Sequence, residues 1–263
     1  MAATRRLASL EEELGVRLVQ RTTRSASLTE EGKQFLPYAA TIVEAAEAGQ
    51  ASLQAPREGA TGLLRVTACG SIGRAVIMPL LPELMDKHPG LRVDLQLTDT
   101  LIDIVSSGID VGIRIGELKD SNLIASPLGE NKRVLCAAPS YLEKRGLAAT
   151  PDELLQHECI LPSGGYHWVF TDGTREKTVN VSGRISVSNM DGVMDACVAG
   201  NGIAMLSSWH VHDALRTGKL REITFADVYP RSVPIWAVYP TRRQLLPKVE
   251  VFIQSMKERL SDV

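Results

Sequence analysis

Apolar and polar positions alternate along this chain with two different rhythms, and the change of rhythm divides it. In MAATRRLASLEEELG (1–15), Ala3, Leu7, Leu10 and Leu14 recur at helical intervals among Glu and Arg, and Gly15 follows where a helix would stop. One short amphipathic helix is predicted. VRLVQRTTRSASL (16–28) reads as two short β-prone runs around a polar turn from Thr22 to Ser25, which fits a hairpin better than a helix. Thr29 is placed to cap a long helix running to about Gln54, where Ala55, Pro56 and Gly59 end it, and Pro37 is expected to kink its first turns. Along that helix Phe35, Ala39, Ile42, Ala46, Gly49 and Leu53 are spaced 4-3-4-3-4, the rhythm of a helix packed lengthwise on another helix. Such a stripe either docks on its own domain or forms a dimer seam.

From Leu63 onward apolar strands alternate with helices. LLRVTA (63–68), LRVDLQLT (91–98), IDVGIRI (109–115) and RVLCAA (133–138) read as strands, with helical stretches at 74–87 and 101–107 between them. This βαβ alternation implies a largely parallel sheet. A second block holds ECIL (158–161), YHWVF (166–170), a polar hairpin-like region from Asp172 to Lys177, a helix near 191–199 and IAMLS (203–207). The strand PIWAVY (234–239) and an amphipathic helix from Leu245 to Leu260 close the chain. Two α/β lobes of about a hundred residues or fewer fit this pattern better than one large sheet.

Composition narrows the function classes. At 263 residues, 44% hydrophobic and 23% charged, the chain is an ordinary globular one. No apolar run approaches the ~18 residues of a membrane helix, and the N-terminus lacks a secretory h-region, so no membrane and a cytoplasmic location are expected. With 29 Lys and Arg against 31 Asp and Glu the net charge is -2, which offers nucleic acid no global attraction. Any such role is local, and residues 15–28 supply a candidate, carrying Arg17, Arg21 and Arg24 and no acid. Cys69, Cys136, Cys159 and Cys197 form no CxxC, so buried free thiols are expected in place of a zinc site or a disulfide framework.

The common nucleotide, hydrolase and metalloprotease signatures are missing, and no catalysis is expected. His210 and His212 in WHVHD sit in a helical pattern, where a two-residue spacing puts them on different faces, so no metal is expected there. Gly200 and Gly202 precede a strand, the wrong context for a dinucleotide loop, and read as turn residues. More informative is TACGSIGRAV (67–76), where a strand ends in small residues and a helix begins near Ser71, leaving backbone N–H groups of Gly70 and Ser71 at the strand's carboxyl end. The next strand ends in Thr98, Asp99 and Thr100. Short hydroxyls would therefore meet at the edge where α/β folds bind ligands, although ordinary N-capping explains them equally. Arg114, unusual in the apolar run DVGIRIG, could answer a ligand carboxylate or pair with Asp110 or Glu117.

The stretch LEEELGVRLVQRTTRSASLTEEG (10–32) resembles the end of the recognition helix, the wing and the start of the linker helix in LysR-type transcriptional regulators. The rest resembles the same family, including LRVTA, MPLLPELMDKHPGLRVDLQL, GIDVGIRIG, SPLGENKRVLCAAPSYL and AGNGIAML, with IDVGIRIGELKDSNLIASPLGENKRVLCAAPSYL closest to its CrgA-like subgroup. The resemblance implies an α/β chain with a winged helix-turn-helix and dimerising linker over 1–58, stabilising a homodimer or homotetramer. Over 62–263 it implies a two-lobed effector domain like a type 2 periplasmic binding protein. The first lobe would take 62–138 and 240–263 and the second 139–239, hinged at RVLCAAP and WAVYP.

By the same resemblance Thr4 and Arg5 face DNA, Arg21 and Arg24 are wing contacts, and Ser163 and Asn189 answer Gly70, Ser71, Thr98, Thr100 and Arg114 across the cleft. The implied partners are operator DNA and a small, anionic metabolite, with no cofactor. The family has two helices before the recognition helix, whereas Met1 stands where the turn into it ends; a partial winged helix-turn-helix with weak operator binding is therefore expected. The alternative is a small-molecule binding protein that kept the effector fold without binding DNA; an enzyme using the same cleft is a weaker third.

Overall fold

The protein's computed structural model describes residues 2–21, 26–52, 59–118, 120–165, 167–240 and 245–261. Arg24 and Leu53, singled out above, lie outside the described residues, as does the side chain of Arg21.

The N-terminal module is built as the periodicity predicts. A helix, Ala2–Leu14, ends at Gly15, whose φ of 69° a side chain would strain. Strands β1 (Val19–Arg21) and β2 (Ala26–Leu28) pair antiparallel. Glu11 fixes the hairpin on the helix: its Oε1 accepts the N–H groups of Leu18 and Val19 at 2.7 and 2.9 Å. The linker helix, Glu30–Ser52, runs through Pro37. Thr29 Oγ1 accepts from Gly32 N at 2.9 Å and donates to Arg17 O at 2.6 Å, so one hydroxyl both caps this helix and ties it to the hairpin.

The first lobe is a five-stranded sheet in the order β4-β3-β5-β15-β6, comprising β3 (Gly62–Ala68), β4 (Leu91–Leu97), β5 (Val111–Ile115), β6 (Leu123–Asn131) and, much later in the chain, β15 (Val233–Pro240). β3, β4 and β5 pair in parallel, and β15 runs antiparallel to both β5 and β6, so β6 keeps the direction of the first three strands and β15 alone opposes them. Its main core joins Leu64, Val66, Ile72, Ile77 and Ile113 to Phe252 and Met256 of the C-terminal helix, Pro247–Ser261. The helix after β3 runs from Gly70 to Lys87 and contains a π-helical turn, Gly73–Ile77.

The second lobe holds the antiparallel sheet β12-β7-β13, built from β7 (Arg133–Ala137), β12 (Ile203–Ser207) and β13 (Arg221–Glu222). Beside it lie a short parallel pair, β8 (Leu161–Pro162) with β11 (Ser186–Val187), and the sheet β10-β9-β14, with β9 (His167–Thr171), β10 (Glu176–Asn180) and β14 (Tyr229–Pro230). Helices Met190–Val198 and Ser208–Arg216 pack on one face of β7 and β12 around Cys136, Cys197, Ala204 and Leu206. Cys136, Cys159 and Cys197 are buried free thiols, and Cys69 is partly buried.

Two expectations are corrected. The lobe boundary does not fall at 138 and 240, because the RVLCA strand pairs only within the second lobe and Val233–Pro240 only within the first. The chain therefore crosses between the lobes at 131–133 and 230–233. Residues 101–107 form no helix: Asp103 Oδ1 accepts the N–H groups of Val105 and Ser106 at 3.0 and 3.3 Å, and Gly108 at φ 64° turns the chain away. LIASPLGEN, to which the sequence pattern assigned no element, is a strand despite Pro127 and Gly129. As β6 it lies at the sheet edge and carries a register irregularity opposite Ile235 and Trp236, and there both residues are tolerated.

Candidate functional site

Strands β3 and β4 end side by side, and the turns that leave them make the polar edge of the first lobe. Thr98 N donates to Ala68 O at 2.9 Å, which seats the Thr98-Asp99-Thr100 turn beside the start of the Gly70 helix. Ser71 is buried with its Oγ 3.5 Å from Cys69 Sγ; Thr98 Oγ1 accepts from Thr100 N at 3.1 Å; and Asp99 Oδ1 accepts from Gly70 N at 3.3 Å. The structure therefore brings Gly70, Ser71, Thr98 and Thr100 together, and adds a carboxylate, Asp99, already lying on the Gly70 N–H.

Arg114 stands on the neighbouring strand β5, paired with Trp236 of β15. Its guanidinium donates to Ile102 O at 3.2 Å, and burial pushes its pKa down. Neither carboxylate considered for it is its partner. Asp110 meets Lys248 at 2.8 Å, and Glu117 faces Arg231 at 3.9 Å. Among the described residues Arg114 has no carboxylate partner, so a partly desolvated cation stands without one on the strand that pairs with β3.

On the second lobe Ser163 follows β8 and is exposed, with its N–H held by Val187 O at 2.9 Å. Asn189 is the N-cap of helix Met190–Val198, its Oδ1 accepting from Gly192 N at 2.7 Å, so that oxygen is committed to the helix. No described contact joins either residue to the first lobe. A contact that does cross is one sequence reasoning missed: Arg74, on the π-helical turn of the first lobe, forms an ion pair with Asp191 of the second, and within the second lobe His210 Nε2 lies 3.2 Å from Asp191 Oδ1. Burial, and then the Arg74 charge, lower the His210 pKa, opposed by Asp195 and Asp99. A neutral imidazole donating to Asp191 from Nε2 fits this, and leaves its buried Nδ1 without a partner. The signals were present in Arg74, a charge on the flank of an apolar helix, and in Asp191, an acid directly after a capping Asn.

In the N-terminal module, Thr4 and Arg5 lie on the exposed side of the first helix. On the linker helix Phe35 and Ala39 are partly buried, whereas Ile42, Ala46 and Gly49 are exposed, Ile42 at 64%.

The profile described as "LysR substrate binding domain" matches residues 57–261, and that described as "Bacterial regulatory helix-turn-helix protein, lysR family" matches 1–33. The chain belongs to the LysR family. Among LysR-type relatives, the transcriptional regulator DmlR of Escherichia coli K12 is 30% identical, covering 98% of this chain and 85% of its own length. The transcriptional activator TtdR of the same strain is 34% identical, covering 90% of this chain and 77% of its own. The solved structure of CrgA, a LysR-type regulator from Neisseria meningitidis, superposes with a TM-score of 0.69 at 29% identity, covering 98% of this chain and 89% of that one. These families and relatives are transcriptional regulators and not enzymes, and the two-lobed body of this chain is the LysR effector-binding domain. Among the described residues no helix is long and apolar enough to cross a membrane.

Proposed function

We propose that this LysR-type regulator is controlled by a small anionic metabolite bound between its two effector lobes. Gly70, Ser71, Thr98, Thr100 and Arg114 contact it on one side and Ser163 and Asn189 on the other, where Asn189 has only its amide nitrogen to offer. The observation that carries this reading is Arg114. A partly desolvated guanidinium with no carboxylate partner among the described residues, on the strand that pairs with β3, is suited to a ligand carboxylate that supplies the missing charge. Occupancy of the cleft changes how the lobes sit on their two crossing segments, and the linker helices pass that change to the DNA-binding modules. Thr4, Arg5, Arg21 and Arg24 contact the operator, and the stripe through Phe35, Ala39, Ile42, Ala46 and Leu53 holds the dimer.

The test is a titration of small carboxylates into the full chain, followed by calorimetry. Arg114→Gln removes a charge-assisted hydrogen bond of about 1.5–3 kcal/mol, so it should raise the dissociation constant of a binding carboxylate about tenfold or more. Ser71→Ala combined with Thr98→Val should raise it further. A ligand whose affinity changes less than about twofold in both variants would show that the cleft assignment is wrong.

A further inference from the structure

Three side chains that the proposed effector site does not use converge where the two lobes meet. Arg74 comes from the first lobe, where the π-helical turn Gly73–Ile77 sets it apart from the regular helix that follows. Asp191 comes from the first turn of the second-lobe helix Met190–Val198, and His210 from the adjacent helix Ser208–Arg216. Asp191 bridges them, pairing through Oδ2 with Arg74 and through Oδ1 with His210. Their meeting point lies over Gly70. A methyl built there would stand 2.9 Å from Asp191 Oδ2 and 3.0 Å from Arg74 Nη2, so a side chain at residue 70 would press on the tips of both charged groups. The carboxylate of the second lobe therefore rests on the same Gly70 edge where an anion would enter.

We infer that Asp191 is an internal stand-in for the anionic effector: it occupies Arg74 when the cleft is empty, and an incoming carboxylate binds by taking its place. This rests on the anionic-effector reading and adds Arg74 to that site. The chemistry favours exchange. Arg74 and Asp191 retain 52% and 32% of their side-chain exposure, and ion pairs this accessible to water are weak, so a ligand carboxylate can compete with one. The exchange is also a signal, because the carboxylate that leaves belongs to the other lobe. Displacement converts a direct contact between the lobes into one made through the ligand, and the released Asp191 keeps its hydrogen bond from His210.

Acetate, which is the Asp191 head group as a free anion, is the probe. The thermal midpoint of the full chain is followed against acetate, with chloride holding ionic strength constant. Asp191→Asn, equal in size, should tighten the apparent acetate dissociation constant about two- to fivefold, since an exposed pair holds back at most about the upper factor. Asp191→Asn combined with Arg74→Gln should return binding to the parent level. Asp195→Asn, which removes a charge from the same helix and leaves Arg74 paired, should stay within twofold of the parent. The inference is overturned if Asp191→Asn changes acetate binding less than twofold, if acetate stabilises none of the proteins, or if the gain survives the loss of Arg74. Arg114→Gln in the Asp191→Asn background separates the two readings. An acetate response that needs Arg74 but ignores Arg114 keeps the displacement and refutes the Arg114 site; a response that needs Arg114 and ignores Asp191 does the reverse.

Discussion

Replacing Lys248 by methionine should remove a large part of the effector domain's stability. Lys248 opens the C-terminal helix and is buried against the first strand of the sheet. Its Nζ donates to Asp110 Oδ2 at 2.8 Å and to Leu63 O at 2.5 Å, while Arg65 N donates to the same Asp110 oxygen at 2.9 Å. The two side chains are 7% and 3% exposed, so this is a charge pair taken out of water. Methionine keeps most of the stem volume and removes the cation, leaving a buried carboxylate without its ammonium. Breaking one side of such a pair costs about 3–5 kcal/mol, against a total of about 5–15 kcal/mol for a typical domain. Urea unfolding followed by tryptophan fluorescence reads the change, as a fall in midpoint at constant slope. The double variant Asp110→Asn, Lys248→Met should be less destabilised than Lys248→Met alone, because the neutral amide can still accept from Arg65 N without a charge to solvate. A loss below about 1 kcal/mol in the single variant, or a double variant as unstable as the single, would refute the reasoning.

Other consequences can be checked separately. Ile42→Asp, which places a carboxylate in the middle of the linker stripe, should shift the sedimentation profile toward monomer; an unchanged profile would mean that the stripe packs within its own chain. The His210 pKa is lowered from its ordinary 6.5, so below pH 6.5 the unfolded chain binds the proton that the folded one refuses. Stability should be fully present above that pH and fall as pH drops through the lowered folded value, and His210→Gln should flatten this part of the curve. Arg24→Ala should weaken binding to all duplexes and reduce the salt slope by about one, whereas Thr4→Ala should act mainly on base preference; duplex titrations at two salt concentrations separate them.

The elements legible in the sequence were those whose pattern is local. Gly15 and Thr29 punctuate the N-terminal module, and the β12 run Ile203–Ser207 was readable to the residue because every position in it is buried. The edge strand β6 was not legible, since a strand with one free side tolerates Pro127 and Gly129, which ordinarily argue against one. The 101–107 stretch misled because helical spacing there is overridden by the Asp103 side chain, which takes the N–H groups of the first turn. For the cleft, the strand-end group at 70–71 and 98–100 follows from topology and could be read in advance. The Arg74–Asp191–His210 bridge joins residues more than a hundred positions apart on separate lobes, and no local rhythm encodes that approach.

The most direct test of anionic control is operator affinity measured with and without the carboxylate that binds the cleft, for the parent chain and for Arg114→Gln. Because coupling between sites is reciprocal, the ligand should change operator affinity by the same factor by which operator changes ligand affinity, about 5–150-fold, and Arg114→Gln should move the response to about tenfold higher ligand concentration or beyond. Operator binding that responds to the ligand equally in the parent and in Arg114→Gln would contradict the account.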